Sequence, residues 1–222
     1  MPKISTMSEY KKNSEIKEIT SPGVHEVVVE MLKKKKAGIK TIIDLGAGYG
    51  ALSARLKKEG FSVTAADLHP ENFRVNDIPC LKCNLNEKIT IKQKFDAVAC
   101  IEVIEHVENP WQLIESLHTL VKEKGTVILS TPNNQNWYSR LYYLFKAKLP
   151  NFMGVAYDEK GGRHWDSHIT PIFLYMLKNM IRNKFRITKI GFNRSNLPFL
   201  RLNLPFRSML FSETIIIEME RI

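Results

Sequence analysis

The chain has 222 residues, 44% of them hydrophobic, and a net charge of +10, which suits one domain with a sizeable core and argues against a second catalytic domain. No long apolar run and no basic-then-apolar leader is present, so neither a membrane-spanning helix nor a secretory signal is expected, and the expected location is the cytoplasm. The three cysteines, Cys80, Cys83 and Cys100, are an odd number in a chain without such a signal; they read as reduced thiols, and Cys80 and Cys83 lack the second pair a structural zinc site needs.

Residues 1–20 are polar and lysine-rich, and read as a flexible lead-in to a single domain over 21–222. After Ser21-Pro22-Gly23, Val24, Val27, Val28, Met31 and Leu32 recur at helical spacing, and the helix ends in the solvated run Lys33 to Lys36, where cations favour the helix dipole. Strand and helix signals then alternate: strand 40–45, helix 50–59, strand 61–66, a short strand 80–83, strand 95–101, helix 110–122 and strand 125–130. A helix at 171–182 precedes strands at 185–192 and 213–219, which are placed to pair antiparallel. The pattern predicts an α/β fold, a doubly wound and mainly parallel sheet finished by an antiparallel C-terminal strand pair.

The first strand runs into Asp44-Leu45-Gly46-Ala47-Gly48-Tyr49-Gly50. Glycines at alternate positions let the backbone turn sharply and bring its N–H groups close to a ligand. The spacing is neither the G-x-G-x-x-G of dinucleotide enzymes nor a phosphate-binding loop with its Lys-Ser/Thr ending. Asp44 at the strand tip favours a cationic ligand over a pyrophosphate. The next strand ends in Asp67, where an acid can accept both hydroxyls of a ribose.

On these residues the chain resembles the class I S-adenosylmethionine-dependent methyltransferases, which share an acidic residue before G-x-G-x-G and a ribose-binding acid after the second strand. The resemblance implies a Rossmann-like fold and a cofactor site made of Asp44, Gly46, Ala47, Gly48 and Gly50, with Asp67 and Leu68 on the ribose. It places Asn84 and Leu85 at the adenine, Asn84 standing where Asp is usual, and Ile101 and Glu102 at the entrance to the acceptor site.

The second informative run is Ile101-Glu102-Val103-Ile104-Glu105-His106, where an apolar strand empties into charged residues beyond its carboxyl end. One reading leaves Glu102 and Glu105 in solvent near a helix N-terminus with His106 as a polar plug. Another makes Glu102, Glu105 and His106 three ligands of a divalent metal, magnesium or zinc, with His168 as a fourth. A third makes His106 or His168 a general base, so that Glu105, His106 and His168 form the catalytic end. This motif followed by Ser130-Thr131-Pro132-Asn133 is similar to the ubiquinone-biosynthesis type of O-methyltransferase and its lipid- and glycan-pathway relatives. It also resembles small-RNA 2′-O-methyltransferases, which use two glutamates and two histidines for a metal; their downstream H-x-H is here His164-Trp165-Asp166-Ser167-His168.

Residues 134–162 form an insertion too long for an ordinary connection. Trp137, Tyr138, Leu141, Tyr142, Tyr143, Leu144 and Phe145 share it with Arg140, Lys146 and Lys148 and no acid before Asp158, a mix that fits an anionic membrane surface, RNA, or a packed lid. Leu197 to Arg207, with prolines at 198 and 205, reads as an apolar and basic loop. The expected activity is O-methylation of a hydroxyl on a hydrophobic small-molecule, lipid-linked or glycan acceptor, with peripheral contact to a membrane. The alternatives are metal-dependent RNA 2′-O-methylation and a non-catalytic cofactor-binding subunit; the sequence fixes no oligomeric state.

Overall fold

The computed structural model describes residues 16–152, 154, 167–197 and 202–222. Helix α1 (Val24–Lys34) starts after Gly23, whose φ of 89° turns the chain into it, and buries Val24, Val27, Val28, Met31 and Leu32. The lysine run at its end is more engaged than a solvated terminus: Lys33 pairs with Glu59 at 2.9 Å, Lys34 with Glu30 at 2.7 Å and Lys35 with the buried Glu218 at 2.8 Å.

Strands β1 (Thr41–Leu45), β2 (Ser62–Asp67), β3 (Cys80–Lys82), β4 (Phe95–Ile101) and β5 (Val121–Pro132) run parallel. Helix α2 (Ala51–Lys58) connects β1 to β2, and α3 (Pro110–Leu120) connects β4 to β5. The Asn109 side chain caps α3 by accepting from the Gln112 N–H at 3.1 Å, and Pro110 follows it where a missing N–H costs nothing. After α4 (Trp137–Lys146) and α5 (Leu174–Ile181), strand β6 (Phe185–Phe192) leads to the short pair β7 (Ser195–Leu197) and β8 (Leu202–Leu204) and then to β9 (Thr214–Arg221).

The seven-stranded sheet has the order β3-β2-β1-β4-β5-β9-β6, and β9 lies antiparallel between β5 and β6. Alternate residues of its central strands face opposite layers. Ile43, Leu45, Val98, Cys100, Val127 and Leu129 pack with α3 and α5, while Ile42, Ala97, Ala99, Ile128 and Ile216 pack with α1 and α2. Strand order reverses between β1 and β4, so a crevice opens beyond their carboxyl ends. All three cysteines are free thiols.

Two expectations need correction. The 110–122 helix stops at Leu120, because Val121 turns extended and pairs with Phe95, which makes β5 longer than 125–130. The 197–207 loop instead contributes to an antiparallel pair, with Ser195 opposite Leu204 and Leu197 opposite Leu202; Pro205 follows its last paired residue, and residues 198–201 lie outside the described residues. Among the described residues no helix is long and apolar enough to cross a membrane.

Candidate active site

The glycine turn is fixed to the neighbouring strand by two backbone bonds, from Gly46 N–H and Ala47 N–H to the Ala66 carbonyl at 2.8 and 3.2 Å. Asp67 at the end of β2 then accepts from Gly48 N–H and His69 N–H, both at 2.8 Å. Gly46, Gly48 and Gly50 all have positive φ, at 72°, 54° and 92°, yet they serve different ends. A Cβ on Gly46 would lie 2.4 Å from Val103, whereas one on Gly48 would meet nothing within 4 Å. Gly48 therefore leaves open space where a side chain would stand, while its N–H is given to Asp67.

That space is a cleft of about 420 Å³. Asp44, Gly46, Ala47 and Gly48 line it from β1 and the turn, Asp67 and Leu68 from β2, Asn84 and Leu85 after β3, and Ile101 and Glu102 from β4. Gly50 does not line it: it precedes α2, and a Cβ there would strike Phe73 and Val75 at 2.7 Å, so its glycine is required by packing. Asn84 donates to Glu87 at 2.7 Å and accepts from Asn86 N–H at 3.1 Å, which fixes the turn at the cleft wall and leaves its carbonyl one further acceptor site.

Asp44 is 2% exposed and accepts from the Ser53 hydroxyl at 2.6 Å. Burial outweighs that bond and pushes its pKa up to about 6. A carboxylate held in this way gains most from an arriving cation.

At the tip of β4 the backbone of Glu102 takes a φ of 54°, and its N–H donates to the Ser130 hydroxyl at 3.0 Å. Its carboxylate accepts from Thr20 Oγ1 at 3.1 Å, Ser21 N–H at 3.3 Å and Thr214 Oγ1 at 3.3 Å. Glu102 is thereby drawn away from the histidines, and its reading as a metal ligand is corrected. Glu105, His106 and His168 do converge, each with one donor atom within 4.8 Å of the others. The Glu105 carbonyl accepts from Ile169 N–H at 2.9 Å and Thr170 N–H at 3.0 Å, and this tie carries His168 to His106, their rings 4.6 Å apart and edge to face. His106 Nδ1 lies 3.2 Å from the Ser167 carbonyl.

His106 and His168 line the cleft, but Glu105 lies behind them at 0% exposure, placed to act on the imidazoles rather than on a substrate. Among the described residues neither oxygen of its carboxylate has a hydrogen-bond partner of ordinary geometry, although Thr131 and its own backbone N–H give some electrostatic relief. Burial first, then the charge of Glu102, drive the Glu105 pKa well above the usual carboxylate range.

A second cavity of about 340 Å³ adjoins the first, and Glu102 and His168 belong to the walls of both. Trp137 and Tyr138 of α4 and Phe211 give it aromatic walls. Buried amides hold those walls in place. Asn133 donates to the Met209 and Ser212 carbonyls at 2.7 and 2.9 Å, Asn136 caps α4 by accepting from Ser139 N–H at 2.7 Å, and Asn193 accepts from Thr214 N–H at 3.0 Å.

Several of these residues escape a reading of the sequence. Lys17, Ile19 and Thr20 line the cleft from the irregular lead-in, and the buried His25 joins them with a pKa lowered to about 4, chiefly by burial. Nothing in the local pattern marks the lead-in as a wall; the only signal is the serine-proline-glycine start of α1 that aims it. His164, Trp165 and Asp166 lie outside the described residues.

A mainly parallel sheet with an antiparallel β9, a glycine turn after β1 and an acid at the end of β2 defines the class I methyltransferase fold. Solved structures agree at the level of fold. A SAM-dependent methyltransferase from Archaeoglobus fulgidus aligns with a TM-score of 0.61 at 18% identity, covering 89% of this chain and 95% of that one. Magnesium protoporphyrin IX methyltransferase from Synechocystis with bound SAH gives 0.60 at 20% identity, covering 89% and 82%. The family model described as a methyltransferase domain matches residues 16–167, and the chain belongs to that family. In sequence, the ubiquinone biosynthesis O-methyltransferase of Rickettsia typhi is 35% identical over 160 residues, 68% of this chain and 63% of that protein. The mitochondrial ubiquinone biosynthesis O-methyltransferase of Arabidopsis thaliana is 32% identical over 155 residues, 63% of this chain and 45% of its own length. The chain thus spans less than two thirds of the curated relatives it matches.

Proposed function

We propose that this chain is an S-adenosylmethionine-dependent methyltransferase acting on a hydroxyl of a hydrophobic small-molecule, lipid-linked or glycan acceptor. The observation that carries the reading is the cleft in which buried Asp44, the open space at Gly48 and the Asp67 carboxylate meet, with a second cavity joined to it at Glu102 and His168. The residues fit the cofactor: Asp44 is desolvated and gains from an ammonium group, Gly48 leaves free the space a side chain would fill, and Asp67, which accepts two N–H bonds, keeps lone pairs for a ribose diol. Leu68 and Leu85 supply apolar wall beside it. When bound, S-adenosylmethionine supplies an activated methyl group on its sulfonium. The acceptor would lie against Trp137, Tyr138 and Phe211, and His106 or His168 would take the hydroxyl proton, a task suited to an imidazole at neutral pH.

The fully buried Glu105 carboxylate, without a hydrogen-bond partner of ordinary geometry and beside two imidazoles, supports a divalent ion as the alternative to an imidazole base, since the same imidazoles would then be its ligands. Two nitrogen donors and one carboxylate suit zinc better than magnesium, and Glu105, His106 and His168 would hold it. Metal content after purification with and without a chelator, read by mass spectrometry of the native protein, tests this apart from activity.

The exposed Leu141, Tyr143, Leu144 and Phe145 of α4, flanked by Arg140, Lys146 and Lys148, support a peripheral contact with an anionic membrane from the cytoplasmic side. Transfer of labelled methyl groups into a fractionated cell extract tests the activity. Label in the lipid or glycan fraction is the expected result; label confined to RNA would overturn the acceptor assignment, and none in any fraction would overturn the activity.

A further inference from the structure

Residues 16–23 are irregular, yet they form a wall of the cofactor cleft through Lys17, Ile19 and Thr20 and a wall of the second cavity through Ser21. At one end they join α1 at Gly23, whose positive φ is a ready hinge and whose following helix is packed in the core. Over the cleft they are tied down by Glu102, which accepts from the Thr20 hydroxyl at 3.1 Å and the Ser21 N–H at 3.3 Å. Glu18 adds an ion pair to Arg55 at the side of the strap.

Glu102 has a further peculiarity. It is a non-glycine residue with a φ of 54°, a conformation disfavoured for a side chain with a Cβ, so the turn at the tip of β4 would be easier with glycine. What the strained turn achieves is to aim the carboxylate back between the strap and Thr214 of β9, on the boundary of the two cavities.

We propose that Glu102 is the latch of a strap formed by residues 16–23, which closes over the cofactor and at the same time completes the acceptor cavity. Cofactor exchange then requires the Thr20 and Ser21 bonds to break, and the acceptor cavity is complete only with the strap shut. The consequence is an order of events: cofactor enters first, the strap closes, the acceptor follows. Glu102 in this role is a positioning residue, acting through the strap. The inference rests on the methyltransferase reading of the cleft.

The test is the dissociation rate of S-adenosylhomocysteine from the full chain by stopped flow, for the wild type, Thr20→Val, Glu102→Gly and the double variant. Thr20→Val should speed release about fivefold, the scale of one ordinary side-chain hydrogen bond. Glu102→Gly should speed it by more, since both bonds go while the backbone strain is relieved, and the double variant should add nothing beyond Glu102→Gly. Hydrogen exchange supplies a readout that general destabilisation would not reproduce: in the wild type the ligand should slow exchange over 16–23, and in Glu102→Gly it should not, with melting temperatures unchanged. Release rates within twofold of the wild type in the folded variants would overturn the latch, and Thr20→Val decides alone if Glu102→Gly does not fold. A wild-type protein that shows no binding heat with this ligand would overturn the cofactor reading itself and the latch with it.

Discussion

The cleft proposed for the cofactor and the cavity proposed for the acceptor sit side by side, but they are built in different ways. Asp44, Gly46, Ala47 and Gly48 fall within five consecutive residues, and Asp67 follows on the adjacent strand with its carboxylate on the Gly48 N–H. The acceptor end gathers His106, His168, Trp137 and Phe211 from segments far apart in the chain, and it depends on bonds such as Glu105 carbonyl to Thr170 N–H to bring them together. One half is a local turn whose geometry follows from its glycines. The other is an assembly whose geometry follows from packing, so changes there should alter turnover while the cofactor still binds.

The largest effect should come from the assembled half. Replacing His106 and His168 together by alanine should lower kcat for methyl transfer about a hundredfold or more, the usual scale for losing a general base, while cofactor affinity changes little. A labelled-methyl transfer assay with the fractionated extract as acceptor checks it, and equal loss of cofactor affinity would break the division between the halves.

In the local half, Asp44→Asn should weaken S-adenosylmethionine binding roughly thirtyfold to a hundredfold, because a charge-assisted contact becomes neutral while the Ser53 bond has a replacement acceptor. The same carboxylate gives the wild type a pH dependence. Its pKa is about 6 in the free protein, so below that value a cation must displace a proton, and affinity should fall towards tenfold per pH unit, with a plateau above 6. Without ligand the sign is opposite for stability: the unfolded chain ionises this group at lower pH, so its protonated form favours the fold in acid and that contribution is lost as pH rises through about 6. Calorimetric titrations from pH 5 to 8 measure the binding slope, and for Asp44→Asn the slope below pH 6 should vanish, leaving a flat profile.

A smaller contrast separates two glycines of the turn. Gly46→Ala should cost both folding stability and cofactor affinity, since its Cβ collides with Val103 at 2.4 Å; Gly48→Ala, with free space around it, should cost about 1 kcal/mol of backbone strain and act mainly on binding. Thermal melts and binding isotherms of the two variants compare these terms. The smallest effect concerns the exposed helix: Phe145→Glu should reduce binding to anionic vesicles several-fold without moving the melting temperature, because Phe145 is 76% exposed and supports no core.

The sequence was most legible where chemistry is local. Asp44, Gly48, Asp67 and Leu68 can be placed from a turn and a strand end, and the antiparallel β6–β9 pair from two apolar runs. Gly50 satisfied the same motif but owes its glycine to Phe73 and Val75, contacts no spacing rule displays. Glu102 and Glu105 look equivalent in the chain, three residues apart, yet a left-handed backbone turns one towards Thr20 and Thr214 while the other is sealed behind the histidines. Asn133, Asn136 and Asn193 are ordinary polar residues until the fold buries them against the 208–214 segment, where each fixes a carbonyl or N–H beside the second cavity. Side-chain direction and long-range hydrogen bonding decide such roles, and neither is written in residue type alone.

The most direct test of the two-part site is calorimetric titration of S-adenosylhomocysteine into the wild-type chain and into the His106→Ala/His168→Ala variant, with methyl transfer measured on the same preparations. The account predicts matching affinities for the two proteins and transfer by the wild type alone. No binding to the wild type, or binding abolished in the variant, would contradict it.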